Sequence, residues 1–252
     1  NYSFSLGEAH NFSATLLYEY FKNNFRSYGA TRKGFANPDI SVGPGTTPVS
    51  ATSARTEYAT ISYFGNVDYD YKGRYLLSLY GRRDGSSLMG ENDHWEFAKG
   101  ASVGWNITKE DFFSVDAINL LKIRGSYGEL NATNGVGNYS AQSTYANVGY
   151  AGANGTVYTG DAVGNLDLKF EKAKKLDIGI DSQLFNNRIA FTAGYFNDKR
   201  DSFIYGGNTP LAGWSTLTNV GEWTAKGFEL EFKGFAIKNE NMSLAFYVNG
   251  AI

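Results

Sequence analysis

Hydrophobic and polar residues alternate with a period of two along several stretches of the chain. On one side of the stretch 59–70 lie apolar, aromatic or small residues: Ala59, Ile61, Tyr63, Gly65, Val67 and Tyr69. The residues between them are mostly polar: Thr60, Ser62, Phe64, Asn66, Asp68 and Asp70. Successive side chains of a β-strand point to opposite faces, so this alternation predicts a strand with one apolar and one polar face.

Three further stretches alternate in the same way, and their apolar faces carry no charge. These apolar faces comprise Leu121, Ile123, Gly125 and Tyr127; Leu176, Ile178, Ile180 and Leu184; and Phe228, Leu230 and Phe232. The opposite faces carry Lys122, Arg124 and Ser126; Lys175, Asp177, Asp181 and Gln183; and Glu229, Glu231 and Lys233. Over the whole chain the pattern predicts roughly nine strands and an all-β fold.

The spacing of the strands distinguishes two all-β architectures, a soluble antiparallel sandwich or barrel and a transmembrane barrel. The predicted long connections lie at 27–55, 84–96, 129–171 and 201–216, and they alternate with turns at 70–73, 108–119, 186–187 and 238–241. Outer-membrane barrels alternate short periplasmic turns with long extracellular loops, whereas structureless connections of this length are uncommon in compact soluble domains. We therefore expect a transmembrane antiparallel β-barrel.

The strand face that carries no charge should then face lipid, because a Lys or Arg near the middle of the bilayer costs roughly 2 to 4 kcal/mol. The residues expected on this face include Ile61, Tyr63, Val67, Ile123, Ile178, Ile180 and Leu230. Aromatic residues near strand ends, such as Tyr18, Tyr69 and Trp105, fit interfacial girdles or ordinary cross-strand packing.

Composition narrows the function classes further. The chain has 252 residues, 16% of them aromatic, and a mean hydropathy of −0.35, without the roughly 18 to 20 consecutive apolar residues of a membrane helix. A formal net charge of −2 argues against a nucleic-acid partner. Because the chain has no cysteine, it has no thiolate metal site and no cysteine nucleophile. Its beginning lacks the pattern of an export signal, so we expect a mature chain or an excerpt.

Motifs of catalysis are absent, and the polar candidates have simpler interpretations. Only His10 and His94 are available as histidines, and the neighbours Glu91 and Asp93 could join His94 at a cation or simply form a solvated loop. The pairs Asp68/Asp70 and Glu229/Glu231 share one strand face, as in a glycosidase, or as in a polar lumen wall. The element 82–87 could bind an anion or shape a strand end. We predict no enzyme, no cofactor and no metal site.

A tyrosine-rich segment from 125 to 168 contains no Lys or Arg. Aromatic rings among Gly, Asn, Ser and Thr offer stacking platforms and neutral hydrogen-bond partners, which suit sugars or peptides, although a self-packed loop fits equally. The candidate residues for contact with a substrate or partner are Tyr139, Tyr145, Tyr150 and Tyr158.

Several motifs together resemble the SusC/RagA family of TonB-dependent transporters. The sequence 63–77 is followed by Arg-Asp-Gly-Ser-Ser at 83–87 and by Ala-Ser-Val-Gly-Trp-Asn-Ile at 101–107. Further similarity lies at 121–128, 137–139, 165–171, 219–222 and 226–229. The resemblance covers nearly the whole chain and is weakest in the long loops. Small departures are Leu166, where the family usually has proline, and Asn106, where a basic residue is common.

The resemblance implies a ~22-stranded barrel that an N-terminal plug fills. It also implies energy delivered by TonB and a SusD-like lipoprotein at the extracellular mouth. We expect residues 1–252 to form part of one barrel domain, with the plug and the TonB box outside this chain. The leading hypothesis is active import of a glycan or oligopeptide nutrient across the bacterial outer membrane. The alternatives are a non-transporting outer-membrane barrel for adhesion or assembly and a soluble carbohydrate-binding β-protein.

Overall fold

The computed structural model describes residues 1–34, 47–133, 135–149, 156–208, 215–238 and 242–252, with the backbone alone for 145–149, 156–162, 208 and 238. The strands in chain order are β1 Tyr2–Leu6, β2 His10–Lys33, β3 Thr47–Tyr71, β4 Tyr75–Ser86, β5 Trp95–Asn106, β6 Ile118–Ala132, β7 Thr144–Gly149, β8 Thr156–Ala162, β9 Glu171–Leu184, β10 Ile189–Asp201, β11 Ile204–Asn208, β12 Ser215–Asn219, β13 Glu222–Lys238 and β14 Ser243–Ala251. One short 3-10 helix, Ile107–Lys109, lies between β5 and β6. Within the described residues there is no helix of the length and apolarity that crossing a membrane requires.

Ten of these strands form one antiparallel sheet in the order β1-β2-β3-β4-β5-β6-β9-β10-β13-β14. The all-β antiparallel prediction is confirmed, with one more wall strand than the roughly nine expected. We call this sheet the wall. Each wall strand pairs with the strand that follows it along the sheet, as in an up-and-down barrel.

The register aligns like residues across the wall. Asp68 pairs with Ser78, Ser78 with Ser102, Ser102 with Ser126, and Ser126 with Asp177. One step along each strand, the row Val67, Leu79, Ala101, Tyr127 and Leu176 is apolar. A shift of one residue in any strand would mix these rows, so the alternation fixes the register. We call the strand face that carries the polar row the inward face, and the strand face that carries the apolar row the outward face.

A tyrosine bridges three strands on the inward face. Tyr80 of β4 pairs with Gly100, which in turn pairs with Gly128. The Tyr80 ring occupies the space above both glycines, and its hydroxyl donates to the Glu129 carbonyl over 2.8 Å. A Cβ at position 128 would lie 2.7 Å from the Tyr80 oxygen, so only glycine fits beneath the ring.

The tight turns lie at one end of the wall. Lys72 and Gly73 turn the chain between β3 and β4 with φ of 54° and 67°, and Asn186 and Asn187 do so between β9 and β10 with φ of 54° and 59°. Glycine and asparagine tolerate this left-handed region, which explains the composition of the predicted turns.

Glu110 stabilises the medium-length turn 108–119, which lies at the same end of the wall. Its carboxylate accepts the Trp105 indole N–H at 2.9 Å and pairs with Arg74 at 3.3 Å. Hydrogen bonds from Tyr75 and Trp105, with the charge of Arg74, lower the pKa of Glu110.

The long connections lie at the opposite end, and they are more regular than the sequence predicts. Within the predicted irregular segment 27–55, the described residues 27–33 and 47–55 extend β2 and β3, which pair from His10 and Tyr71 to Lys33 and Thr47. The expectation of structureless connections at 129–171 and 201–216 is also wrong, because they contain β7, β8, β11 and β12. These four strands form a second sheet in the order β11-β12-β8-β7. These strands are only five to seven residues long and their hydrophobic residues do not alternate regularly along the sequence, so the period-two pattern misses these pairings.

Candidate functional site

The inward face carries the polar lining of a candidate passage. A hollow of about 910 Å³ lies along β1 to β6, and its polar lining includes Ser3, Ser5, Asn11, Ser13, Asp68, Asp70, Ser78, Ser102, Lys122, Arg124 and Ser126. Six serines and Asn11 make up most of the polar lining, beside the charged residues Asp68, Asp70, Lys122 and Arg124. The hydroxyl and amide groups can exchange hydrogen bonds with a polar solute.

Charges on the inward face are concentrated around Arg124 on β6. Its guanidinium forms ion pairs with Asp177 and, over 3.3 Å, with Asp181. It lies over Gly179, where a Cβ would come 2.9 Å from the guanidinium carbon. Glu229 and Glu231 line an adjoining hollow of about 400 Å³ together with Arg124. The acidic pairs noted in the sequence are therefore wall residues beside a cation.

The element 82–87 is the end of β4 nearest the long connections, and its side chains form hydrogen bonds with β3. Asp84 is buried and accepts from Ser62 at 2.6 Å, Arg82 at 2.6 Å and Asn131 at 3.0 Å. Ser87 completes the connection, since its hydroxyl accepts from the Ala59 N–H at 2.9 Å. Arg82 is already paired with Asp84, which supports the interpretation that this element shapes the strand end.

The residues that directly follow this element are part of a small apolar core. Leu88, Met89 and Phe170 are buried together, and Tyr58, Val136 and Ile204 pack against them. We call the segments 87–94, 163–171, 202–207 and 215–221 the mouth. In a wall whose faces are largely accessible, this core is where the described chain buries several large apolar side chains together.

Hydrogen bonds join the first two mouth segments. The Gly90 N–H donates to the Leu168 carbonyl at 2.7 Å, and the Asn92 N–H donates to the Leu166 carbonyl at 2.9 Å. The Asn92 side-chain amide also donates to Asp167 at 2.7 Å. The motif 165–171 thus positions the loop between β4 and β5.

Asn219 joins the third and fourth mouth segments to the second. Its side-chain oxygen accepts the Lys169 N–H at 2.9 Å, and its amide donates to the Lys169 carbonyl at 2.7 Å and the Ser202 carbonyl at 3.0 Å. Glu171, also buried, accepts the Ile204 N–H at 3.0 Å. Sequence reasoning noted both residues within motifs but did not identify this role, which single polar side chains carry without any periodic signal.

The candidate tyrosines do not form one observed cluster. Tyr139 has a φ of 64°, and its hydroxyl accepts the Glu57 N–H at 3.1 Å, which attaches the loop after β6 to β3. Tyr145 and Tyr158 lie on the paired strands β7 and β8, diagonal to each other in register, but their side chains are outside the description. Tyr150 lies outside the described residues. Contact of these four residues with a substrate or partner stays a prediction.

The candidate cation cluster is spread along its loop. The His94 ring nitrogen Nδ1 lies 3.2 Å from the Ser86 carbonyl, and the Asp93 N–H donates to the Gly90 carbonyl at 3.1 Å. Among the residues that the structure describes, no three His, Asp or Glu side chains are arranged to hold a metal ion.

Comparison with known proteins decides the family. A family model described as "TonB dependent receptor-like, beta-barrel" matches residues 1–251. The chain belongs to this family.

Named relatives agree with the membership. This TonB-dependent receptor-like barrel is 31% identical over 254 residues to TonB-dependent receptor P3 of Formosa agariphila, covering 96% of the chain and 25% of that protein. It is 29% identical over 164 residues to TonB-dependent receptor SusC of Bacteroides thetaiotaomicron, covering 58% of the chain and 16% of SusC. The chain therefore spans about a quarter, or less, of the curated relatives it matches.

Solved structures show the same fold. The RagAB peptide importer matches with a TM-score of 0.88 at 23% identity, covering 98% of the chain and 28% of the importer chain. The siderophore receptor PirA of Pseudomonas aeruginosa matches with a TM-score of 0.55 at 11% identity, covering 99% of the chain and 41% of PirA. The resemblance to the SusC/RagA family of TonB-dependent transporters is confirmed. The relatives are named as receptors and importers.

Proposed function

We propose that this chain is part of the barrel wall of a TonB-dependent importer in the bacterial outer membrane. The observation that carries the proposal is the family match over residues 1–251. The cargo class we propose is an oligopeptide or a glycan. Its support is the inward face, where Ser, Asn and Asp side chains offer hydrogen bonds over a long surface. The name of the RagAB peptide importer favours a peptide cargo for a related barrel.

The outer-membrane location is supported by the dimensions of the outward face. On β9 the residues from Leu176 to Leu184 alternate without an outward charge, and Lys174 is the first outward cation above them. A membrane β-strand needs about 9 to 11 residues to cross the hydrocarbon core. The apolar band of β9 matches that length, so we infer that lipid covers it and that the mouth faces the outside of the cell.

Family membership supports a proposal for the rest of the transporter. We propose that residues 1–252 form one part of a barrel domain whose plug and TonB box are supplied by other parts of the parent protein. TonB would deliver the energy, and a SusD-like lipoprotein would cover the mouth. The segment between β6 and β9 belongs to this extracellular end, where its candidate tyrosines could contact the cargo or the lipoprotein.

The test is uptake by the full-length parent protein in cells with and without TonB. A labelled oligopeptide mixture and a labelled oligosaccharide mixture serve as probes. We expect one of them to accumulate only when both TonB and the transporter are present. A barrel used for adhesion or assembly would show no TonB-dependent uptake of either probe, which would contradict the proposal.

A deletion variant tests three of the candidate tyrosines, Tyr145, Tyr150 and Tyr158. Replacing 144–162 by a short Gly-Ser linker removes β7 and β8 but keeps Leu168, Phe170 and Glu171, which hold the mouth together. We expect the variant to reach the membrane and to lose uptake or its lipoprotein. Normal uptake with normal lipoprotein retention would show that this segment has neither role.

A further inference from the structure

The outward face has two sectors whose charges are organised differently. On β9 and β10, just above the apolar band, the outward lysines are ion-paired, whereas Lys226 of β13 has no carboxylate partner within the described chain. Lys174 lies 2.5 Å from Asp201, and Lys199 lies 2.7 Å from Glu222. Lys172 pairs with Glu96 at 2.5 Å. The protein itself neutralises much of the positive charge in this sector.

The sector formed by β2 to β5 carries an excess of positive charge. Its outward cations, which we call the basic collar, are Lys22, Arg26, Arg55, Arg83 and Lys99. Glu57 is the outward carboxylate among the described residues of these four strands, and Lys22 and Arg55 share it at 3.5 Å and 3.3 Å. Within the described chain, Arg26, Arg83 and Lys99 have no carboxylate partner, and all three are exposed.

The collar also brings like charges together. Arg26 on β2 is the direct cross-strand partner of Arg55 on β3. Arg83 pairs with Phe97, two positions from Lys99, so Arg83 and Lys99 are diagonal neighbours on β4 and β5. Like charges placed opposite each other destabilise a sheet unless a counter-charge lies near them. Glu57 supplies a counter-charge for Arg55, whereas Arg83 and Lys99 have no carboxylate partner within the described chain, so this second pair favours an external anion.

The collar continues directly from an aromatic part of the outward face. The rings of Tyr18 and Tyr63 are 5.3 Å apart, and those of Tyr63 and Trp95 are 6.2 Å apart. The Arg83 guanidinium lies 4.9 Å from the centre of the Trp95 ring. Aromatic rings followed by cations on one face are typical of the boundary between hydrocarbon and headgroups, where long basic side chains reach toward the polar layer.

We propose that the basic collar binds the phosphate groups of lipid headgroups in the outer leaflet. Guanidinium and ammonium groups recognise phosphate through charge-assisted hydrogen bonds, and an arginine can present two of them at once. Lipid is the occupant that fits, because the collar adjoins the face that we place in lipid. The inference rests on the proposed outer-membrane location.

The experiment uses the full-length transporter reconstituted in vesicles and titrated in detergent, with lipid binding read by native mass spectrometry. The probes are phosphatidic acid, phosphatidylcholine and inorganic phosphate alone. Two variants neutralise the collar, R83Q/K99Q and R26Q/R55Q, and K174Q/K199Q is the matched control in the ion-paired sector. We expect phosphatidic acid to bind in preference to phosphatidylcholine, with about a fivefold loss of affinity for each collar cation removed.

Three results would overturn the inference. In the first, R83Q/K99Q and R26Q/R55Q bind phosphatidic acid as the unmodified transporter does. In the second, the control K174Q/K199Q loses as much affinity as they do. In the third, inorganic phosphate alone occupies the collar as tightly as the lipid, which would assign a free-ion site. Flotation with vesicles separates the two proposals: a transporter that fails to insert contradicts the membrane location, whereas one that inserts without lipid preference contradicts the collar alone.

Discussion

The wall and the mouth of this barrel place their side chains in opposite environments. In the wall, outward residues such as Ile178 and Leu230 are about half exposed, at 50% and 52%, because the sheet has no second layer over that face. In the mouth, Leu168 is 0% exposed and Met89 is 2% exposed. The wall therefore needs a surrounding solvent of the right polarity, whereas the mouth contains its own small core.

The wall and the mouth differ in the interactions that stabilise them. Backbone pairing holds the wall together, and a side-chain truncation there leaves the pairing intact. The mouth depends on a few buried side chains and on side-chain hydrogen bonds between loops, so one substitution can release it. Substitutions in the two regions should consequently be read by different measurements.

The largest effect is expected for Leu168→Ala in the mouth. Removing a buried leucine costs about 2 to 5 kcal/mol, and here the loss should fall on the loops and not on the wall. Proteolysis of the mouth segments should become faster in the assembled transporter. Leu166→Ala is the control, because Leu166 is 52% exposed. Global unfolding of the wall by Leu168→Ala would remove the proposed distinction.

Ile178→Arg in the wall should lower assembly into the membrane, by roughly 2 to 4 kcal/mol if the site lies near the midplane. The neighbouring Asp177→Asn changes the inward face and should leave assembly nearly intact. The heat-modifiable fraction of barrel on a gel measures both. Equal folding yields for the two variants would contradict a lipid-facing outward surface.

Asp84→Asn should loosen the connection between β3 and β4 by about 1 to 3 kcal/mol. The substitution keeps the volume but removes the charge that Arg82 and Ser62 contact at 2.6 Å. Hydrogen exchange at the N–H groups of 59–62 should accelerate. Asp116→Asn, in an exposed turn, should cause no change; unchanged exchange in both would show that Asp84 does not maintain this connection.

Tyr139→Phe should have a smaller effect, about 0.5 to 1.5 kcal/mol. The lost phenolic oxygen accepts the Glu57 N–H, and water can replace it at this partly exposed position. Exchange of the Glu57 N–H measures the change, with Tyr20→Phe on the outward face as the control. If uptake falls while this exchange is unaltered, Tyr139 acts on the cargo and not on the loop.

The smallest effect concerns the tight-turn end. Because the pKa of Glu110 is lowered in the folded protein, its contribution is present above the unfolded value of about 4.3 and is lost as the pH falls through the folded pKa. The protection of the N–H groups in the 107–110 turn against hydrogen exchange, relative to an unfolded chain at the same pH, should therefore fall below about pH 4.3. Glu110→Gln should abolish that pH dependence, and an unchanged profile would contradict it.

Sequence reasoning succeeds for the wall because one physical rule governs it. Each wall strand must alternate where its two faces meet different environments, so the positions of Ile178 and Asp177 in the sequence already indicate their faces. The same rule fails for the upper parts of β2 and β3, because Ser, Thr and Ala occupy both faces of β3 there and the upper part of β2 does not alternate regularly.

The mouth was less accessible to prediction, because its contacts join single residues far apart in the chain. Asn92 and Asp167 are separated by 75 positions, and neither carries a periodic pattern. The family resemblance drew attention to the segment 165–171 without indicating what it contacts. Likewise, predicting which outward lysines and arginines form ion pairs in each sector requires knowledge of the register between strands.

Because Tyr80 packs over Gly100 and Gly128, the residue at any one of these three positions restricts the residues allowed at the other two. A Cβ at Gly100 would lie 2.2 Å from the Tyr80 ring and one at Gly128 would lie 2.7 Å from its hydroxyl oxygen, so a substitution at either glycine requires the ring to move or position 80 to become small. Among related barrels we expect the three positions to change together. A library that randomises all three should return either the present combination or a small residue at 80, with few mixed solutions between them.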